Sequence, residues 1–254
     1  MLLAIDLGNT ETQVGVWDGR EWAGIWRRRT NAIGTVDEFV EWLEAQFAES
    51  SIAGVFNGAI VASVVPAATE AVIQAVAQVT ECVPLQLTPD PRLGMKIQYD
   101  PPSSLGADRL ANALAAKARF KLPVVVVDIG TATTFEAIDQ SGAFVGGAIM
   151  PGPALSAAAL AEGTAALPEA NLDLPSSAIG SSTVHALQSG IILGQAAAIQ
   201  GLATQMAAEL GPGTTVVATG GQGERFLGLC PILEGHYPTL TLDGLVVAFA
   251  LLDK

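Results

Sequence analysis

Two stretches of the chain repeat one another. "AIDLGNTETQVGVW" begins at Ala4 and "VVDIGTATTFEAID" begins at Val126. Each is an apolar strand that ends in Asp and then Gly, passes through a hydroxyl-rich loop and enters another strand. Residue for residue, Asp6 matches Asp128, Gly8 matches Gly130 and Thr12 matches Thr134. Each copy continues into a turn, "DGR" in the first and "QSG" in the second, and then a further strand. Such self-similarity predicts two α/β halves built on the same pattern, with the cleft between them as the natural site. Residues 1–117 and 118–254 are the expected halves.

The loops are suited to phosphate. Glycine lets backbone N–H groups approach an anion closely, and threonine adds hydroxyl donors. In the first half Gly8, Asn9, Thr10 and Thr12 supply these groups, and in the second Gly130, Thr131, Thr133 and Thr134. An aspartate beside such a loop would repel phosphate unless a cation lay between them, so Asp6 and Asp128 imply bound metal ions. The alternative for either one is a turn-capping aspartate. A Rossmann fingerprint needs a helix directly after its glycines, whereas a hairpin at Asp18-Gly19 follows here. No GxxxxGKS/T run occurs and the chain has four lysines, which excludes a P-loop with its phosphate-binding lysine.

Composition narrows the partners. A formal charge of -13, from 12 Lys+Arg against 25 Asp+Glu, argues against nucleic acid and against an anionic membrane surface. The run Arg27-Arg28-Arg29 is too short to reverse this. Cys82 and Cys230 stand far apart and outside any CxxC spacing, consistent with a reducing cytoplasm and with neither a disulfide framework nor a zinc site. The uninterrupted apolar runs fall short of a membrane span. His185 and His236 have no ligand spacing and read as structural.

Between the halves lies "YDPPSSLGADRLANALAAKARF", whose Asp108 stands where an alanine-rich helix begins. It is either an ordinary helix-start carboxylate or a base that takes a proton from a substrate hydroxyl, with Arg109 holding an anionic group. "VVATGGQGE" is a strand running into glycines, either a tight turn or a bare backbone against which an adenine could lie.

Taken in order, "DLGNT" at Asp6, "LGADR" ending at Arg109, "DIGTATT" at Asp128, "GGAIMPG" at Gly146, "TAALP" at Thr164, "STVHALQSGIILG" at Ser182, "ATGG" at Ala218 and "LTLDGL" at Leu240 resemble type III pantothenate kinase. That family belongs to the actin, hexokinase and Hsp70-like ATPase superfamily. The resemblance implies a duplicated actin-like, ribonuclease H-like α/β fold and ATP-dependent phosphorylation of the primary hydroxyl of pantothenate, the first step of coenzyme A biosynthesis. It implies that Asp6, Leu7, Gly8, Asn9, Thr10, Glu11, Thr12 and Gln13 form the first ATP loop, and that Thr131 contacts ATP from the second. Asp108 would be the catalytic proton acceptor. Tyr99, Gly106, Ala107, Asp108, Arg109 and Thr183 would bind pantothenate. Asp128 would hold a monovalent cation, potassium or ammonium, and Asp6 would act on magnesium through water. The family resemblance further implies a cytoplasmic homodimer.

Two positions depart from the family pattern. Pro101 stands where Asn is usual, and "GSST" lacks the basic residue often found before Thr183. Two other functions remain open at this stage: a non-catalytic accessory or regulatory relative, and a kinase for another small alcohol.

Overall fold

The computed structural model describes residues 1–165, 167–168 and 171–253. Of the "TAALP" segment, Ala166 lies outside the described residues. Nine strands are described: β1 (Leu2–Leu7), β2 (Glu11–Trp17), β3 (Trp22–Arg29), β4 (Gly58–Ser63), β5 (Leu85–Gln86), β6 (Val124–Ile129), β7 (Ala132–Ile138), β8 (Phe144–Pro151) and β9 (Thr215–Thr219). The α-helices are α1 (Val36–Glu49), α2 (Pro66–Thr80), α3 (Ala107–Arg119), α4 (Pro153–Gly163), α5 (Thr183–Gln188), α6 (Gly194–Leu210), α7 (Gly223–Leu227) and α8 (Leu240–Leu252).

The chain divides into two compact units. The first is Met1–Arg119 together with the C-terminal stretch from Leu240, and the second is Phe120–Thr239. The last helix differs: α8 belongs to the first unit although its sequence follows the second. Its tie is chemical as well as apolar, since Trp22 Nε1 donates to Asp243 Oδ1 at 2.8 Å and Thr241 Oγ1 to Asn112 Oδ1 at 2.8 Å. Linear reading assigns a terminal segment to its nearest neighbours, and these partners are far away in the chain.

In the first unit the strand order is β3-β2-β1-β4-β5, with β1 antiparallel to β2 and parallel to β4. Strand alternation sends Leu3, Ile5 and Leu7 into a core closed by Phe39, Leu43 and Phe47 of α1 and Val72 and Val76 of α2. Leu2, Ala4 and Asp6 therefore face the opposite side of the sheet. Helix α1 starts at a capping box in which the Thr35 hydroxyl accepts from the Glu38 N–H and Glu38 bonds back to the Thr35 N–H, which holds the Glu38 carboxyl below its usual range. The predicted turn at Asp18-Gly19 is present, with Gly19 at φ +107° and Asp18 Oδ1 accepting from the N–H groups of Arg20 and Glu21.

The second unit reproduces the arrangement, with order β8-β7-β6-β9 and β6 antiparallel to β7 and parallel to β9. Its hairpin also turns on an aspartate, Asp139, whose Oδ1 accepts from the Ser141 and Ala143 N–H groups. Val125, Val127 and Ile129 form the core with Ile199 and Ala203 of α6 and Phe226 of α7, leaving Asp128 on the other face. Five residues of π-helix, Ser189–Leu193, join α5 to α6. The resulting continuous stretch Thr183–Leu210, 28 residues that contain an 18-residue window of mean hydropathy 1.2, is long and apolar enough by length and composition to cross a membrane. Gln188, Gln195 and Gln200 interrupt it, so no unbroken apolar run marks it in the sequence. A core helix passes the same test, and Ala196, Ile199 and Ala203 of this stretch are core residues.

Candidate functional site: two loops and a buried carboxylate

The first loop is the link between β1 and β2. Leu7 pairs with Thr12 across the two strands, so Gly8, Asn9, Thr10 and Glu11 make the loop, closed by the Gly8 N–H donating to Glu11 O at 3.2 Å. Asn9, Thr10 and Glu11 are exposed, while Asp6, Gly8 and Gln13 are half-buried. In the second unit Ile129 pairs with Thr133, the loop is Gly130, Thr131 and Ala132, and the Gly130 N–H donates to Ala132 O at 3.0 Å. The second loop is thus one residue shorter. Structural register equates Thr12 with Thr133, correcting the match of Thr12 to Thr134 that the ungapped alignment suggests.

That correction changes what the threonines can do. Thr12 and Thr133 are both 0% exposed, and each hydroxyl has a buried partner: Thr30 Oγ1 at 2.9 Å for Thr12, and Gln195 Nε2 at 2.6 Å for Thr133. Their side chains belong to the support of the loops and do not present donors to a ligand, contrary to the sequence expectation for both Thr12 and Thr133. Thr131 is exposed and Thr134 is half-buried.

The loop backbones are oriented from behind by the ends of the third strands. The Thr30 N–H donates to Thr10 O at 2.9 Å, and the Gly152 N–H donates to Thr131 O at 2.9 Å. In a trans peptide the C=O and the following N–H point in opposite directions. Fixing the Thr10 and Thr131 carbonyls toward the third strand therefore turns the Glu11 and Ala132 N–H groups away from it. A row of N–H groups directed to one side of a tight loop is an anion cradle.

Asp128 sits beside a feature absent from the sequence reading. Gly220 has φ +82°, and a Cβ there would lie 2.3 Å from Asp128 Oδ1 and 2.7 Å from Ile129 O. Only glycine leaves this space open, next to one carboxylate and one carbonyl oxygen. The Gly220 carbonyl accepts from His236 Nε2 at 2.9 Å, and the Thr219 hydroxyl donates to Tyr237 O at 2.8 Å. "ATGG" read alone signalled a turn or an adenine platform; its contact with Asp128 depends on the parallel pairing of β6 with β9.

The third group lies at the start of α3. Asp108 is in the first helical turn, and its Oδ1 accepts from the Arg109 N–H at 2.7 Å. Burial raises its pKa above the ordinary carboxylate value, opposed by that hydrogen bond and by the Arg109 charge. Gly106 allows the carboxylate to fold back, since a Cβ there would be 2.6 Å from Asp108 Oδ1. Arg109 is 5% exposed, with its guanidinium 5.7 Å from the centre of the Tyr99 ring. Tyr99, Gly106, Ala107, Asp108 and Arg109 are therefore brought together in the first unit. Thr183 is an exposed residue at the start of α5 in the second unit, after Ser182, whose hydroxyl accepts from the His185 N–H at 3.2 Å.

Among the described residues no three His, Cys, Asp or Glu side chains converge as a metal cage. Single carboxylates at strand ends suit a cation that takes most of its ligands elsewhere, as magnesium on nucleotide phosphates does.

Comparison with known proteins agrees with this architecture. The family model of type III pantothenate kinase matches residues 2–205. A Phenylobacterium zucineum protein named type III pantothenate kinase is 39% identical, covering 97% of this chain and 96% of its own length. A Frankia alni protein of the same name is 41% identical, covering 98% of each. Among solved structures, a Campylobacter jejuni chain described as a Baf family transcriptional activator superposes with a TM-score of 0.62 at 19% identity, covering 98% of this chain and 97% of its own. This structural likeness supports the fold alone, the actin-like α/β architecture with two similar halves. Family-model coverage and near-full-length identity together make the chain a member of the type III pantothenate kinase family.

Proposed function

We propose that this protein is an ATP-dependent kinase that phosphorylates the primary hydroxyl of pantothenate to give 4'-phosphopantothenate, the entry step of coenzyme A biosynthesis. Its relatives at about 40% identity carry that name. The observation that carries the mechanism is Asp108, a carboxyl made more basic by burial at the start of a helix, beside a buried arginine and a half-buried tyrosine.

Asp108 accepts the hydroxyl proton as the substrate oxygen attacks the γ-phosphorus; the P–O bond to the β-phosphate breaks and ADP leaves. Arg109 takes the pantothenate carboxylate in a charge-assisted pair, with Tyr99, Gly106, Ala107 and Thr183 completing the acceptor site. Asp6 through Gln13 and Thr131 hold the phosphate chain, chiefly through backbone N–H groups. Asp6 would hold the magnesium that accompanies ATP through water, and that ion would supply charge neutralisation to the phosphate oxygens. Asp128 would hold a monovalent cation, potassium or ammonium. The enzyme acts in the cytoplasm as a homodimer, for which the small residues of α6 are suited to close helix packing.

A coupled ADP-release assay tests this reading, using pantothenate against a panel of sugars and hydroxy acids with and without potassium. Release confined to pantothenate is expected. Preference for another alcohol would reassign the acceptor, and no release with any of them would favour a non-catalytic role.

A further inference from the structure

We infer that Thr30 is a positioning residue for ATP, acting as a latch that fixes the peptide orientations of the first phosphate loop. This rests on the reading of that loop as the nucleotide site. Thr30 lies just after β3 and is 8% exposed. Its hydroxyl donates to Gly8 O at 2.6 Å, and its N–H donates to Thr10 O at 2.9 Å. A threonine hydroxyl carries one proton. With that proton committed to Gly8, the 2.9 Å contact between Thr12 Oγ1 and Thr30 Oγ1 must run from Thr12 to Thr30. The result is a directed relay from the Thr12 hydroxyl through the Thr30 hydroxyl to the Gly8 carbonyl, buried where such bonds are strong and polarise one another.

The consequence follows from peptide planarity. Two alternate carbonyls of the loop, those of Gly8 and Thr10, are drawn toward Thr30. The N–H groups in the same peptide planes, those of Asn9 and Glu11, therefore point the other way. These are the groups from which an anion cradle is made. Without the hydroxyl, the Gly8–Asn9 peptide loses the bond that fixes its orientation, while the Thr10–Glu11 peptide keeps the bond from the Thr30 backbone. Thr30 touches neither phosphate nor acceptor in this scheme. Its effect passes through the loop.

The test compares Thr30→Val, Thr30→Ser and Thr12→Val, with Thr80→Val as a control. Thr80 is a buried threonine of the same unit whose hydroxyl donates to Val76 O, remote in sequence from the loop. Steady-state KM values for ATP and pantothenate are measured separately, and magnesium–ADP binding is titrated calorimetrically. Thr30→Val is expected to weaken magnesium–ADP binding and raise KM for ATP about tenfold, the effect of one well-placed hydrogen bond, with KM for pantothenate within about twofold. Thr30→Ser should restore most of the affinity. Thr12→Val, which removes only the relay donor, should cost about threefold, and Thr80→Val should change neither constant.

Unchanged nucleotide affinity in Thr30→Val would overturn the latch, as would an equal rise in both KM values or an equal effect in Thr80→Val. If Thr30→Val is insoluble, the order of Thr12→Val, Thr30→Ser and Thr80→Val decides: equal affinities in all three overturn the latch. A wild-type protein that binds magnesium–ADP but does not use pantothenate would defeat the acceptor assignment alone, leaving the titration to judge Thr30. Failure of the wild type to bind nucleotide would remove both.

Discussion

The first and second loops share a strand order, a strand-end aspartate and a glycine two residues later, yet they are braced differently. The first is four residues long and is held by a threonine hydroxyl on the Gly8 carbonyl. The second is three residues long and is held by contact: Gly152 comes so close that a Cβ there would lie 2.1 Å from Gly130 O. Both third strands supply the same backbone N–H, from Thr30 or Gly152. A duplicated backbone can therefore preserve a ligand-facing geometry while the supporting side chains diverge, because the strand register sets the carbonyl directions. The proposed acid–base group has no duplicate among the described residues. Asp108 enters from α3, in the first unit only.

The largest effect is expected where the symmetry is absent. Asp108→Asn should lower turnover by about 10³-fold while leaving magnesium–ADP binding measurable; near-normal turnover would remove Asp108 from the role of base. In wild type, kcat/KM should fall toward acid with an apparent pKa above the ordinary carboxylate value. The sign for stability is opposite to that for activity. Burial raises the folded-state pKa of Asp108, so its ionised form is held at a cost near neutral pH. Asp108→Asn should therefore stabilise the fold at pH 7, read as a raised melting temperature. That gain should disappear as pH falls through the raised pKa toward the ordinary value.

Next comes Gly152→Ala, whose methyl group would meet backbone rather than a flexible side-chain end. It should destabilise the protein by about 1–3 kcal/mol, seen in thermal melting, and raise KM for ATP. Tolerance of alanine there would show that the second loop needs no close support. Asp128→Asn should abolish potassium stimulation, several-fold at most, whereas Asp6→Asn should alter the magnesium dependence; equal responses in the two variants would break the proposed division between the acids. The smallest effect is expected at Trp22→Phe, which loses the bond to Asp243 that helps tie α8 to the first sheet. A loss of about 1 kcal/mol with unchanged KM values is anticipated.

Much of this was legible in the chain because the relevant signals are local. The apolar runs of β1 and β6 and the Asp18-Gly19 turn are each set by a few neighbouring residues. Thr30 and Gly152 gave no such signal. One follows an arginine run and the other follows a strand, and each matters only through a loop on a neighbouring strand. Gly220 was visible as a turn glycine, but its approach to Asp128 requires β6 and β9 to lie side by side. The misplaced equivalence of Thr12 with Thr134 has the same origin, since an ungapped alignment cannot detect that one loop is a residue shorter.

By itself the sequence determined the duplicated strand-loop-strand pattern, the family and the acids on which the chemistry is proposed to turn. These depend on residue type and spacing, which are properties of the linear chain. Tertiary structure alone decided that Thr12 and Thr133 are internal supports, that α8 completes the first unit, and that burial raises the pKa of Asp108. Hydrogen-bond partners and desolvation are set by what packs against a residue in space, and here the packing joins residues far apart in the chain.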